Sequence, residues 1–255
     1  MAISLLSLSC TQSIKAPRIT VYGVAGVGKS TLGASAPKPV FILTEDGLGK
    51  LQTTSFPIAR SYQEVLEALD SLLTENHDFE TVVIDSLDWL EPLIWAQVAS
   101  SRGVTSIEDI GFGKGYVFAL DLWRVYLDKL NQLRDQKNMV ILQLAHSVIK
   151  RFDSPEHDPY DRYEIKLHNK TAALIQEHSD CVLFANYRIS TTKSDVGFQK
   201  KITRAVGSGE RLLFTQERPA FLAKNRYGLP HELSMDWNTL QGHLIGKPQH
   251  QSQTV

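Results

Sequence analysis

Cysteine is nearly missing from this chain. Its 255 residues hold two, Cys10 and Cys181, which form no metal-ligand spacing and point to a reducing compartment. Cys181, inside Asp180-Cys181-Val182-Leu183-Phe184, reads as a buried core thiol. Long apolar runs are missing too, since none approaches the ~20 residues that span a bilayer, and no membrane partner is expected. Met1 to Ser13 carry Leu5, Leu6 and Leu8 but neither a basic n-region nor a clear small-residue cleavage site, so the expectation is a cytoplasmic protein without a secretory leader. Nor is one charge sign in excess: 27 Lys and Arg against 28 Asp and Glu leave a net charge of −1. That balance excludes a uniformly basic surface and leaves any nucleic-acid contact to particular loops. No internal repeat is found. What remains, 42% hydrophobic and 22% charged, is ordinary for a globular protein with one large core. The division expected is an N-terminal segment (1–16), one domain (17–240) and a weakly ordered polar tail (241–255).

What is present starts at Gly23-Val24-Ala25-Gly26-Val27-Gly28-Lys29-Ser30, a complete G-x-x-x-x-G-K-[ST] phosphate loop followed by Thr31. Glycines let backbone N–H groups turn inward around phosphate oxygens, the lysine neutralises β/γ charge, and the hydroxyl of Ser30 reaches Mg²⁺. The flanks fit, with a strand at Arg18-Ile19-Thr20-Val21-Tyr22 before the loop and a helix opening at Ser30 after it. A second element, Thr81-Val82-Val83-Ile84-Asp85-Ser86, is an apolar strand ending in an aspartate, placed to hold a water on Mg²⁺. A nucleoside triphosphate and Mg²⁺ are therefore the expected ligands. A third strand, Val40-Phe41-Ile42-Leu43, runs into Thr44-Glu45-Asp46 and brings a carboxylate beside the γ-phosphate, where it would orient or deprotonate the attacking water. Spacing alone leaves Glu45 and Asp46 both open.

Periodicity predicts strands at 18–22, 39–44, 81–85, 139–145 and 181–186, with hairpin-like material over 187–222. Helical spacing of apolar residues covers 61–74 and 116–136. The alternation implies an α/β fold in which a mainly parallel sheet has helices on both faces and ligands at the carboxyl ends of its strands.

Taken together, the phosphate loop, the strand ending in Glu45, the Asp85 strand, a polar residue closing the fourth strand and a late Lys224-Asn225-Arg226 resemble the RecA/DnaB superfamily of P-loop ATPases. Within it the chain looks like the compact RecA-like ATPases of bacteriophages, some of which are single-strand-annealing recombinases. The resemblance runs from about residue 17 to 235. It implies a RecA-like core with Glu45 as the catalytic base and His146, closing the strand Met139 to Ala145, as a γ-phosphate sensor where RecA has Gln. Gln143 is the competing sensor. It further implies that Lys224 and Arg226 act as cations on a neighbouring subunit's triphosphate, so that hydrolysis depends on self-association into a filament or ring. The competing reading makes them a solvated turn.

Two loops resemble the DNA-binding loops of RecA in position. Residues 102–115 offer Lys114; residues 147–170 offer Lys150, Arg151, Arg162, Lys166 and Lys170, interleaved with Phe152, Tyr160 and Tyr163. Asp153, Glu156, Asp158, Asp161 and Glu164 dilute that charge, and a flexible lid of mixed charge is the alternative. The implied function is an ATP-dependent, single-stranded-DNA-binding recombinase or annealing protein of phage recombination or replication. It would work in the host cytoplasm, with a single-strand-binding protein as a further partner. A hexameric helicase-type motor and a nucleotide-driven scaffold ATPase are the alternatives, because one core hosts all three.

Overall fold

A computed structural model describes residues 15–195 and 201–244. The first strand, β1 (Arg18–Gly23), is followed by α1 (Lys29–Ala34), β2 (Pro39–Leu43), β3 (Thr54–Ser55), α2 (Tyr62–Thr74), β4 (Thr81–Asp85) and α3 (Leu87–Ser101). A short 3₁₀ turn, Ile107–Ile110, leads into α4 (Lys114–Lys137) and then β5 (Val140–Ser154), β6 (His157–Ile165) and α5 (Asn169–His178). The chain continues through β7 (Cys181–Asp195), β8 (Lys201–Phe214), β9 (Lys224–Asn225), β10 (Glu232–Ser234) and α6 (Trp237–Leu244).

The main sheet runs β10-β8-β7-β1-β5-β4-β2-β3. Every pairing from β7 across to β3 is parallel, while β8 and β10 add an antiparallel edge. This is the expected mixed α/β architecture with a mostly parallel, helix-covered sheet.

Alternation along the strands explains the two faces. Ile19, Val21, Phe41, Leu43, Val83, Leu142, Leu144 and Leu183 turn to one side, where they meet Leu32 of α1 and Trp237 and Leu240 of α6. Tyr22, Val40, Ile42, Val82, Ile84, Ile141 and Phe184 turn to the other and pack on Leu69 of α2, Leu90 and Ile94 of α3, Trp123 and Leu130 of α4 and Ile175 of α5. Residues two apart share a face, so each short apolar strand feeds both layers at once. Cys181 is fully buried, and burial pushes its thiol up to about 11.

Three expectations need correction. The strand predicted at 139–145 does not close at His146. It continues to Ser154 and turns back as β6, with Val148 opposite Glu164 and Phe152 opposite Tyr160. Residues 147–170 are therefore a β-hairpin and the start of α5, because alternating apolar and charged side chains suit a two-sided ribbon. Residues 102–115 hold the 3₁₀ turn, closed by a capping box between Ser106 and Asp109, with α4 already begun at Lys114. Residues 241–244 of the expected tail finish α6, with Leu240 and Leu244 buried; 245–255 and 1–14, which include Cys10, lie outside the described residues.

Candidate functional site

The site forms where β1 stops. Gly23 sits between His146 of β5 and Ala185 of β7 in the parallel register, so close to β7 that a Cβ on it would stand 2.1 Å from the Ala185 carbonyl oxygen. No larger residue fits there. The loop then turns through Gly28, whose φ of 102° lies in the left-handed region before α1 begins. Val27 drops its side chain into the α1/α6 core and anchors the loop. Lys29 is buried, and its ammonium donates to the carbonyls of Gly23 at 3.2 Å and Val24 at 3.1 Å. Burial lowers its pKa, partly offset by the charges of Asp85, Asp88 and Glu45.

Beneath the loop the Ser30 hydroxyl donates to Asp85 Oδ2 at 2.6 Å. Asp85 closes β4, which lies beside β5 and β2. Its carboxyl pKa is raised by burial first and, with the Ser30 bond opposing, by repulsion from Glu45. The ends of β2 and β4 are latched together: the Thr44 hydroxyl donates to the Ser86 carbonyl at 2.7 Å and accepts from the Ser86 N–H at 2.9 Å, and the Ser86 hydroxyl donates to Glu45 Oε1 at 2.5 Å. That latch holds Glu45 at the strand ends. Glu45 lines the cavity of about 280 Å³ formed with Gly26, Gly28, Lys29, Ser30, Thr31, Asp85 and His146, while Asp46 is exposed and does not line it.

His146 reaches the same cavity from β5, with Nδ1 4.0 Å from Glu45 Oε1. Its backbone N–H donates to Asp88 Oδ1 at 2.9 Å, and Nδ1 lies 3.0 Å from Asp88 Oδ2. Asp88 sits in the first turn of α3, its side chain 1% exposed, with the Lys166 ammonium 3.5 Å from the same Oδ2. Burial alone would raise this carboxyl; the bonds from His146 outweigh it and hold the pKa down at about 2. Gln143, the competing sensor, is fully buried, accepting from the Tyr126 hydroxyl at 3.0 Å and donating to Thr20. It faces α4 and not the cavity.

Lys224 and Arg226 are not brought to this cavity. β9 pairs with Cys181 and Val182, the first residues of β7, at the amino end of the parallel strands. Lys224 donates to the carbonyls of Gln176 at 2.6 Å and Glu177 at 3.1 Å, capping α5, and Arg226 lies 3.4 Å from Asp180. Among the cations expected to meet DNA, Arg162 is committed to Glu164 and Glu217 and stacks on Phe152. Lys150 donates to Leu167 and Asn169, and Arg151 pairs with Asp153. Lys114, Lys166 and Lys170 remain exposed.

Sequence reasoning missed Asp88, Ser86, Tyr187 and Arg211. Asp88 carried one faint signal, an acid in the first turn of the helix that follows Asp85. The hydroxyl of Tyr187 donates to the Gly26 carbonyl at 3.2 Å, and the guanidinium of Arg211 lies against Gly28. Both come from the β7–β8 hairpin, whose folding back over the loop no local pattern announces.

A buried lysine inside a glycine turn, a serine on a strand-end aspartate and a second carboxylate across the cavity form a nucleotide pocket. The family model described as an AAA domain matches residues 15–227. The chain belongs to this AAA domain family. It is thus a nucleotide-binding, ATPase-type domain, and the matched residues span from the start of β1 to just beyond β9. No curated protein matches the chain. Within the AAA domain, no helix among the described residues is long and apolar enough to cross a membrane.

Proposed function

We propose that this AAA domain hydrolyses ATP with Glu45 as the group that orients or deprotonates the attacking water. One observation carries the reading: Glu45, latched by Ser86, faces the cavity that also holds Lys29, Ser30 and Asp85. The residues present fit Mg²⁺, since Ser30 and Asp85 offer oxygen donors only. Among the described residues no group of three or more His, Cys, Asp or Glu could hold a metal by itself, so phosphate and water oxygens would complete the shell. Bound there, Mg²⁺ would offset charge on the phosphates. Lys29 would exchange its two carbonyl partners for phosphate oxygens, and His146, held by Asp88, would donate to the γ-phosphate. Glu45→Gln keeps shape and removes the base: ATP binding persists while turnover falls about 10²-fold or more. Undiminished turnover in that variant sinks the assignment.

We further infer a role on single-stranded DNA of the RecA-like, phage-recombination kind. What supports it is a set of exposed aromatic and cationic side chains. Trp89 is half exposed, Phe112 is fully exposed beside Lys114, and Lys166 reaches solvent from the hairpin that leaves His146. Rings that stack on bases and ammoniums that hold phosphates are what a single strand needs. ATP turnover should rise when an unstructured oligodeoxynucleotide is added, and the rise should vanish in Phe112→Ala. Turnover that ignores DNA favours the scaffold reading instead.

A further inference from the structure

The sheet order divides the nucleotide site into two flanks. On one side of β1 stand β5, β4 and β2 with His146, Asp85 and Glu45, the groups suited to the γ-phosphate and the metal. On the other side stand β7 and β8. A nucleotide laid across the end of β1 with its γ-phosphate toward Glu45 carries its remaining phosphates and nucleoside toward β7 and β8.

Two side chains wait on that flank. Tyr187 and Arg211 are direct cross-strand partners, so they share a face of the hairpin. Both reach the phosphate loop: the Tyr187 hydroxyl donates to the Gly26 carbonyl at 3.2 Å, and Arg211 Nη1 lies 2.6 Å from where a Cβ on Gly28 would stand. Gly28 is required by its φ of 102°, and the guanidinium tip lies close against it. The register shifts between Tyr187 and Ile189, an irregularity that re-aims side chains at the end of the paired stretch.

Arg211 is also uncommitted. Its chain neighbour Glu210 is paired with Arg188 at 2.6 Å, and Glu232 is paired with the same arginine at 2.9 Å. Among the described residues the Arg211 guanidinium has no hydrogen bond or ion pair, while its backbone carbonyl is pinned by the Met235 N–H at 3.1 Å. An exposed, unpaired guanidinium next to a loop that itself presents N–H groups is placed to meet an anion, and its fork of donors matches phosphate oxygens.

We propose that Arg211 is a phosphate-binding residue acting within its own chain, on the part of the nucleotide that ATP and ADP share, with Tyr187 holding the hairpin against the loop. This rests on the nucleotide-hydrolysis reading above. Calorimetric titration of the full chain with ADP and with ATP, beside thermal melting without nucleotide, tests it. Arg211→Ala weakens both nucleotides about tenfold by the same factor and leaves the nucleotide-free melting temperature unchanged, since no intramolecular bond is lost. Arg211→Lys recovers part of the affinity. Wild-type ADP affinity in Arg211→Ala overturns the proposal, as does a loss confined to ATP, which would move the contact to the γ-phosphate. Lys29→Ala separates the two readings. If it abolishes binding while Arg211→Ala does not, only the Arg211 assignment falls; if the wild-type chain binds neither nucleotide, both fall.

Discussion

Asp88 offers the sharpest energetic test, because a buried carboxylate with a depressed pKa contributes stability that pH can switch off. Its pKa drops from 3.8 to about 2 on folding, burial being outweighed by the two bonds from His146. At 1.36 kcal/mol per unit, that shift is worth about 2 kcal/mol at neutral pH. The sign follows from the direction: a carboxyl whose folded pKa is depressed stabilises the fold above its unfolded pKa, and that stability is lost as pH falls from about 4 toward 2. Asp88→Asn keeps the size and an acceptor for the His146 N–H but removes the charge. Urea unfolding should show the variant weaker by about 2 kcal/mol at pH 7, with the gap shrinking to roughly half near pH 3. A gap that is the same at both pH values, or absent at pH 7, would refute the idea that charge on Asp88 holds His146. The contact has a functional side too, since it fixes the imidazole of His146 that lines the cavity.

Asp46→Asn should leave turnover as it is, in contrast to Glu45→Gln; the reverse pattern would shift the base by one residue. Lys224→Ala should cost about 1 kcal/mol of stability through loss of the α5 cap while a dilute sample keeps its rate per subunit. If, instead, mixing inactive Lys29→Ala with inactive Arg226→Ala subunits restores activity, these cations act across an interface.

The parts of the site that were legible in the sequence are those built within a few consecutive residues. Gly23 to Ser30 announce themselves because one short turn must supply amides, a cation and a hydroxyl, and Asp85 because an apolar strand that ends in an acid is a local pattern. Glu45 could be narrowed only to a pair. Its separation from Asp46 depends on the Ser86 hydroxyl, and that contact spans two strands brought together by tertiary pairing. The hairpin of β5 and β6 is not legible as one, because its position resembles a DNA-binding loop and its mixed charge a flexible lid, yet Arg162 packs on Phe152 and pairs with acids at 164 and 217. Its charged residues pair along each strand, Arg151 with Asp153 and Arg162 with Glu164, and with Glu217 beyond the hairpin, which composition cannot show.

Strand order was the least legible feature and the one on which the chemistry most depends. β5 inserts between β1 and β4, setting Gly23 against His146 and Asp85 against Leu144 in adjacent registers. Because β5 stands in the middle, its residue just past that register opens onto a cavity bounded by the phosphate loop on one side and both carboxylates on the other. Lys29, its pKa lowered by burial, and Asp85, its pKa raised by burial, then line the same cavity. The same order leaves β7 and β8 free to close the opposite flank, so the reacting end of the nucleotide and the end that anchors it are served by different strands of one sheet.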